Sequence, residues 1–246
     1  MNSINRSIII GISLVSLSLV SYTAQILIFK RPEETFFYML QDIAFIPIQV
    51  LIVTLIINEL LARSERRSMM KKMNMVIGAF FSEMGLELLK WFSAFDVNNA
   101  EMKQALVLNS EWDDRKFNSA AKFVKAHNYV IDCRVCNLGY LKSFLSEKRY
   151  FLLTLLENPN LLEHLSFTDL LWAVSHLSQE LELRKDVSDL SEVDMKHVSD
   201  DIKRAYSLLT VEWLSYVKHL KEDYPFSFSL AIRTNPFDDS ASIEVK

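Results

Sequence analysis

Two kinds of side chain in this sequence could do chemistry: a pair of cysteines and five histidines. The cysteines form the motif Cys133-Arg134-Val135-Cys136, a spacing found in half of a zinc site or in a redox couple. There is no second C-x-x-C, the histidines lack the close spacing of a zinc finger, and no βαβ pattern surrounds the motif. We therefore expect Cys133 and Cys136 to be reduced thiols, with metal binding and redox chemistry as the alternatives.

Two histidines lie near carboxylates at spacings that place both groups on one helical face. His176 is four residues before Glu180, and Asp194 is three residues before His197. A di-metal helical bundle would need Glu-x-x-His motifs on two helices, and the sequence has none. We therefore expect solvated helix faces, and we predict no metal site, no cofactor-binding residue and no catalytic residue.

The composition excludes several classes of site and favours helices. Only 4 of the 246 residues are glycine, and neither a G-x-G-x-x-G turn nor a P-loop motif is present. A G-x-S-x-G elbow and an H-E-x-x-H motif are absent too. Since glycine and proline are scarce and 50% of the residues are apolar, with many strong helix formers, the sequence predicts an all-α chain.

Two apolar segments near the amino terminus are predicted to cross a membrane as an antiparallel hairpin within residues 1–62. Residues 8–29 carry no charge, and at about 1.5 Å per residue they span roughly 33 Å, enough for a bilayer core of about 30 Å. Residues 36–57 form the second span, which contains Pro47, a residue that membrane helices tolerate. A cleaved signal peptide is the alternative for the first segment.

A group of basic residues follows the second span and predicts the orientation of the hairpin. Its members are Arg63, Arg66, Arg67, Lys71 and Lys72. Cytoplasmic flanks carry the excess of Lys and Arg, so we expect an inner or cell membrane protein with both termini cytoplasmic. This basic cluster could bind anionic lipid headgroups, at about 1 kcal/mol per charge, or be a plain stop-transfer flank. Residues 73–246 have a net charge of −7, which argues against nucleic acid as a partner.

Polar residues within the two spans are predicted to join them. Counted from the turn, Gln25 and Asp42 lie at about the same depth, as do Ser18 and Gln49. We expect hydrogen bonds within these two pairs, because an unpartnered carboxylate inside a membrane is costly.

The rest of the chain is predicted to fold as helices. Residues 63–96 form the basic flank and an amphipathic helix, which could lie on the membrane, pack on the domain or pair with a second copy. Residues 97–233 are expected to form a bundle-like cytoplasmic domain. Residues 234–246 are expected to form a flexible tail that frays or binds the surface as an extended strap. The predicted helices of the domain cover residues 111–127, 138–157, 167–184 and 192–223.

Several passages resemble a group of prokaryotic two-span membrane proteins without an assigned function. These passages are Phe45-Ile46-Pro47-Ile48-Gln49-Val50-Leu51, Ile77-Gly78-Ala79-Phe80-Phe81-Ser82-Glu83, Leu155-Leu156-Glu157-Asn158-Pro159-Asn160-Leu161-Leu162-Glu163-His164 and Arg233-Thr234-Asn235-Pro236-Phe237. The resemblance implies a prokaryotic membrane setting and brings no catalytic residue.

The missing catalytic motifs favour a membrane-anchored interaction or regulatory protein, whose helical domain binds another protein or its own copy. An enzyme acting on a membrane-associated substrate is one alternative. A small oligomeric channel or transporter subunit is another, suggested by Asp42 within a span.

Overall fold

The structure is a computed structural model that describes residues 3–159, 161 and 164–244, with side chains from residue 8 onward. As predicted, it is all-α: the described residues contain no strand, only an isolated antiparallel bridge between Asp96 and Ile131. The chain divides into two compact units, Met1–Arg66 and Arg67–Lys246. The helices are α1 (Ser3–Phe29), α2 (Pro32–Phe80), a π-helical turn (Phe81–Gly85), α3 (Leu86–Phe95), α4 (Asn99–Ala105), α5 (Asp114–Ala126), α6 (Leu138–Leu156), α7 (Leu165–Leu183), α8 (Glu192–Asp223) and α9 (Pro225–Arg233).

The first unit contains α1 and the first part of α2, and its apolar side chains are exposed. Leu17 and Ile28, for example, are 63% and 71% exposed. Two helical segments, Ile8–Phe29 and Pro32–Phe95, are long and apolar enough to cross a membrane. They contain both predicted spans, and α2 continues through Pro47 without a break.

The turn between α1 and α2 is shorter than the six residues predicted. Lys30 has a left-handed φ of 54°, and its N–H donates to the carbonyl of Ile26 at 2.9 Å, which caps α1. Pro32 then begins α2, because its fixed φ suits the first helical position and it has no N–H to leave unpaired. Only Lys30 and Arg31 separate the two helices, so no other element fits between them.

From Arg67 onward, the predicted amphipathic segment belongs to the core of the second unit. The buried residues of its apolar face, each at most 3% exposed, are Met73, Ile77, Phe80, Phe81, Met84, Leu88, Leu89 and Phe92. Of the three positions left open by the sequence, the structure therefore has the helix packed on the domain. The domain begins near residue 67 rather than at the predicted residue 97, since this helix supplies part of the hydrophobic core.

The π-helical turn Phe81–Gly85 widens the long helix inside this core. It allows two consecutive residues, Phe80 and Phe81, to be buried together, at 0% and 1% exposure, with their rings 5.4 Å apart. Gly85 provides the space for both rings. A Cβ at residue 85 would lie 2.7 Å from Phe81 Cδ1 and 2.9 Å from Phe80 Cε1, so packing requires glycine there.

Side-chain caps fix the starts of two of the predicted helices. Ser191 accepts a hydrogen bond from the N–H of Asp194, and α8 has the predicted bounds. In α5 the cap is Asp113, which accepts from the N–H of Lys116. The prediction that this helix begins at residue 111 is wrong by three residues. The helix begins at Asp114, because the side chain of Asp113 accepts a hydrogen bond from a free N–H group of the first turn.

Two short helices, α4 and α9, were not predicted. Pro225 was expected to end the preceding helix, and it does follow the end of α8. It also begins α9, because proline fits the first turn of a new helix.

The segment predicted to be a flexible tail, residues 234–246, begins as part of the core. Asn235 and Phe237 are 3% and 1% exposed. The amide of Asn235 donates to the carbonyl of Leu106 at 2.8 Å, and the Phe237 ring lies 5.0 Å from that of Trp213 on α8. At Asn235 and Phe237 the segment is therefore bound to the domain, because burial of a large aromatic ring holds this part of the chain in place.

Candidate functional site

Two histidines and two carboxylates meet between helices α7 and α8. His176 and Glu180 are four residues apart on α7, and His197 and Asp201 are four apart on α8, so each pair shares one helical face. His176 lies beside Asp201, and Glu180 lies beside His197, as antiparallel helices require. We refer to these four residues as the His/carboxylate cluster.

The polar atoms of the His/carboxylate cluster converge. His176 Nε2 lies 3.6 Å from Asp201 Oδ2 and 4.0 Å from Glu180 Oε1. His197 Nε2 lies 3.5 Å from the same Asp201 oxygen and 3.6 Å from Glu180 Oε2. All four distances exceed the N···O length of about 2.7–3.2 Å that is typical of a hydrogen bond. The four groups therefore face one another without bonding directly.

Burial differs across the cluster. The side chain of Asp201 is 9% exposed, that of Glu180 27%, and those of the two histidines about half. Asp201 Oδ2 is enclosed and has no hydrogen-bond partner. A buried carboxylate oxygen without a donor is rare and costly, so this atom calls for an explanation.

Arg184, one residue after α7, holds Glu180 from outside the cluster. Its Nη1 donates to Glu180 Oε2 and to the backbone carbonyl of Glu180, both at 2.6 Å. Its Nη2 lies 3.5 Å from Asp194 Oδ1. This guanidinium lowers the pKa of the Glu180 carboxyl, which keeps the group ionised and fixes its orientation.

The sequence reasoning missed this cluster because it paired His197 with the wrong carboxylate. In the structure Asp194 accepts a hydrogen bond from the hydroxyl of Ser191 at the start of α8. Asp201, four residues after His197, faces the histidines instead. Two His-x-x-x-acid pairs on consecutive helices are the signal that could have found the cluster.

Cys133 and Cys136 are free thiols in the segment before α6. The S–H of Cys136 has two acceptors within reach, the sulfur of Cys133 and the carbonyl of Asp132 at 3.2 Å. The hydrogen bond to Cys133, followed by burial, raises the pKa of the Cys136 thiol. The same hydrogen bond lowers the pKa of the Cys133 thiol, so only Cys136 has the raised pKa that makes a thiol a poor nucleophile and a poor metal ligand. The two residues line a cavity of about 580 Å³ together with Leu190 and Met195.

The polar contact in the hairpin differs from the predicted one. Asp42 Oδ2 accepts a hydrogen bond from the hydroxyl of Tyr22 at 3.0 Å. Among the described residues, Gln25, Ser18 and Gln49 make no side-chain hydrogen bond. The predicted pairs 25/42 and 18/49 are therefore wrong, because Tyr22 lies one helical turn before Gln25 and its longer side chain reaches the carboxylate first.

The residues of the predicted basic cluster are all exposed. Arg63 pairs with Glu59 at 2.7 Å. Within the described part of the chain, Arg66, Arg67, Lys71 and Lys72 form no ion pair.

The second unit also contains a buried acid–histidine pair that was not predicted. Asp96 Oδ2 lies 3.1 Å from His127 Nε2, and both side chains are almost fully buried. Asp96 Oδ1 accepts from the N–H groups of Asn98 and Val130, at 3.1 and 3.0 Å. Both oxygens are occupied, so the pair joins the end of α3 to the segment after α5. The pair lies beside the bridge to Ile131.

Comparisons with known proteins give matches over both units. A family model described as MJ1433, N-terminal helical domain, matches residues 2–61, and one described as Uncharacterized protein MJ1433, C-terminal helical domain, matches residues 69–233. The two matches meet close to the boundary between the two units. No solved structure matches the chain.

One relative is similar over almost its whole length. The chain is 42% identical over 243 residues to Uncharacterized protein MJ1433 of Methanocaldococcus jannaschii, an alignment that covers 99% of this chain and 98% of that protein. Taken with the two family models, this similarity places the chain in the MJ1433 family, a family of helical proteins without an assigned function.

Proposed function

We propose that the protein is anchored in a membrane by α1 and the apolar part of α2, and that its second unit acts on the cytoplasmic side by binding another protein or a second copy of itself. The observation that carries the anchoring is the exposed apolar surface of the first unit. No residue of the segment Ile8–Phe29 is buried.

Water is a poor solvent for such a surface. Soluble proteins rarely expose apolar patches larger than a few hundred Å². A bilayer covers this surface, and both segments are helical, so their backbone groups are hydrogen-bonded internally, as a lipid environment demands.

The basic cluster supports the orientation. Five basic side chains follow the second apolar segment, whereas the turn contributes only Lys30 and Arg31. All five are exposed, which suits contact with anionic headgroups.

The surface of the second unit supports protein binding. Trp172, Tyr150 and Phe226 are 60%, 83% and 94% exposed. Aromatic side chains of this size are enriched at the centres of protein interfaces. The acidic character of this part of the chain disfavours nucleic acid as the partner.

Cysteine labelling tests the anchoring and the orientation. In a chain with Cys133→Ser and Cys136→Ser, single cysteines are placed at Glu33, in the first turn of α2, and at Ser240. On intact cells an impermeant thiol reagent should label the first position only. Labelling at Ser240 would reverse the orientation. Release of the chain from membranes by alkaline carbonate would contradict the anchoring.

Site-specific photo-crosslinking tests the interaction. A photoreactive residue at position 172 or 226 should capture a second copy or another protein in intact membranes, whereas one at Lys203, an exposed position on α8, should not. Equal capture at all three positions, or none, would contradict a specific interaction through these aromatic side chains.

A further inference from the structure

We propose that the His/carboxylate cluster, His176, Glu180, His197 and Asp201, is a binding site for a divalent transition-metal ion of the Zn²⁺ type. The site would be separate from the surfaces that anchor the protein or bind partners. It would tie α7 to α8 through one ligand pair on each helix.

The spacing of the ligand atoms fits this ion. Zn²⁺ binds histidine nitrogen and carboxylate oxygen at about 2.0–2.2 Å in a tetrahedron, so neighbouring ligand atoms stand about 3.4 Å apart. Asp201 Oδ2 lies 3.5 Å from His197 Nε2 and 3.6 Å from His176 Nε2. Glu180 lies 3.6 Å from His197 Nε2 through Oε2 and 4.0 Å from His176 Nε2 through Oε1. Ligand atoms of His176, Glu180 and His197 all lie within 4.8 Å of one another. Small side-chain movements would therefore complete the coordination.

The buried oxygen of Asp201 is an independent indication of a ligand. Asp201 Oδ2 is enclosed, has no hydrogen-bond donor, and lies nearly equidistant from His176 Nε2 and His197 Nε2. Buried charges in proteins are normally paired, hydrogen-bonded or bound to a metal. A cation between the two histidines would satisfy this oxygen and would use both imidazole nitrogens in their neutral, ligand form.

An ordinary histidine–carboxylate pair on the same helix looks different. His219 Nδ1 lies 2.9 Å from Asp223 Oδ2, four residues later on α8, which is a direct hydrogen-bonding distance. In the cluster each histidine nitrogen instead stands between two carboxylates, at a distance too long for a hydrogen bond to either. A direct hydrogen bond therefore explains the His219 pair but not the cluster.

The ligand set also limits which ion fits. Ca²⁺ and Mg²⁺ prefer all-oxygen sites with six or more ligands, which the two imidazoles oppose. Two imidazoles with two carboxylates suit Zn²⁺, Co²⁺ and similar ions. Arg184 donates to Glu180 from outside and would hold that ligand in orientation, as outer partners of metal ligands do. The half-exposed histidines leave the site open to ions from solution.

Titration with Zn²⁺ tests the site on the full chain in detergent, stripped with a chelator and purified without a polyhistidine tag. The background carries Cys133→Ser and Cys136→Ser, so that thiols do not compete. We expect one Zn²⁺ per chain, and we expect His176→Gln or His197→Gln to raise the Kd by about 100-fold or more, above the effect of losing an outer-shell partner. His219→Gln is the matched control and should leave the Kd unchanged.

Co²⁺ absorption provides a second measurement that identifies the coordination. Tetrahedral Co²⁺ should give intense visible bands in the parent chain and in His219→Gln, and these bands should be lost in His197→Gln. Circular dichroism verifies that the His197→Gln chain is folded, as expected for a half-exposed side chain. Equal Zn²⁺ affinity in the parent and the His176 and His197 variants, or equal losses in all three histidine variants, would overturn the site. So would octahedral Co²⁺ bands in the parent.

Discussion

The two units of this protein contain the same kinds of apolar side chain but place them in opposite ways. In the first unit Leu17, Leu27 and Phe37 are 63%, 70% and 64% exposed. In the second unit Leu88, Phe92 and Leu209 are fully buried. The helices of the second unit bury their apolar side chains by packing on one another, whereas the apolar side chains of the first unit are not covered by protein. The difference shows that apolar content alone does not tell whether a helix belongs in a core or in a membrane.

The two units also differ in how they satisfy a carboxylate. Asp96, in the second unit, has both oxygens engaged by three partners. Asp42, in the first, accepts one hydrogen bond, from Tyr22. At Asp96 the packed core satisfies both oxygens of a buried carboxylate, because leaving them without donors would be costly. This hydrogen bond joins α1 to α2 without enclosing either partner.

The largest expected effect comes from removing a buried phenylalanine of the second unit, and an exposed phenylalanine of the first unit is the comparison. Phe92→Ala should lower the free energy of unfolding of the second unit by about 4 kcal/mol, because it leaves a cavity in a fully packed core. Phe37→Ala should change it by less than about 0.5 kcal/mol, as is usual for an exposed position. Urea unfolding followed by tryptophan fluorescence measures this directly, since all four tryptophans lie in the second unit. Similar losses for the two variants would mean that the units do not differ in packing.

The next largest loss of stability is expected from replacing Asp96, with Asp42 as the comparison. Asp96→Ala should destabilise the second unit by about 3 kcal/mol, because it leaves the N–H groups of Val130 and Asn98 and the ring of His127 without their acceptor. Asp42→Ala should leave the tryptophan-detected transition unchanged. The same urea experiment tests both. A small loss for Asp96→Ala would show that water replaces the carboxylate and that this polar group is not structural.

Much of the fold could be predicted from the sequence, because it depends on local signals. The uncharged run of residues 8–29 and the predicted helix 192–223 each depend on signals within one helix, and both correspond to helices of the structure. Five of the buried residues between Met73 and Phe92 lie on the face predicted from a period of three and four, whereas Phe81, Leu89 and Phe92, within or after the π-helical turn, do not. The surface that packs on this face could not be predicted, because periodicity shows that a helix has an apolar face and does not show which element covers it. The sequence therefore left three positions open for that helix.

The candidate site was harder to predict, because it depends on the register between helices. The four-residue spacing of His176 and Glu180 lies within one helix, so the sequence alone predicted that the two side chains share a helical face. That Asp201 and His197 stand opposite them depends on the length of the loop 184–191 and on how α7 and α8 pack. Likewise, the choice of Tyr22 over Gln25 as the partner of Asp42 depends on side-chain reach rather than on depth alone.

A glycine in each unit allows a further comparison, with an expected loss of stability of intermediate size. Gly85→Ala should destabilise the second unit by about 2 kcal/mol, because the added Cβ would lie within 3 Å of the rings of both Phe80 and Phe81. Gly11→Ala meets nothing within 4 Å and should cost no stability, since alanine favours a helix by up to about 1 kcal/mol over glycine. Thermal unfolding followed by circular dichroism compares the two. A neutral Gly85→Ala would show that the π-helical turn relaxes to accept a side chain.

The smallest expected effect concerns the contact within the first unit. Tyr22→Phe removes the hydroxyl that donates to Asp42 and should weaken the association of α1 with α2 by about 0.6 kcal/mol, the average found for hydrogen bonds between membrane helices. Gln25→Leu is the matched control, because Gln25 was the partner expected from depth and makes no such bond among the described residues.

The reporter for this effect must lie in the first unit, which has no tryptophan. A fluorescent donor and acceptor on cysteines at Ile9 and Ile57, both about half exposed, report separation of the two helices as SDS is added to bilayer-like micelles. Tyr22→Phe should shift the midpoint to lower SDS, whereas Gln25→Leu should not. The reverse order would restore Gln25 as the partner of Asp42. Equal midpoints for both variants and the parent would mean that the two helices are held together by the short turn at Lys30 and Arg31 and by lipid packing alone.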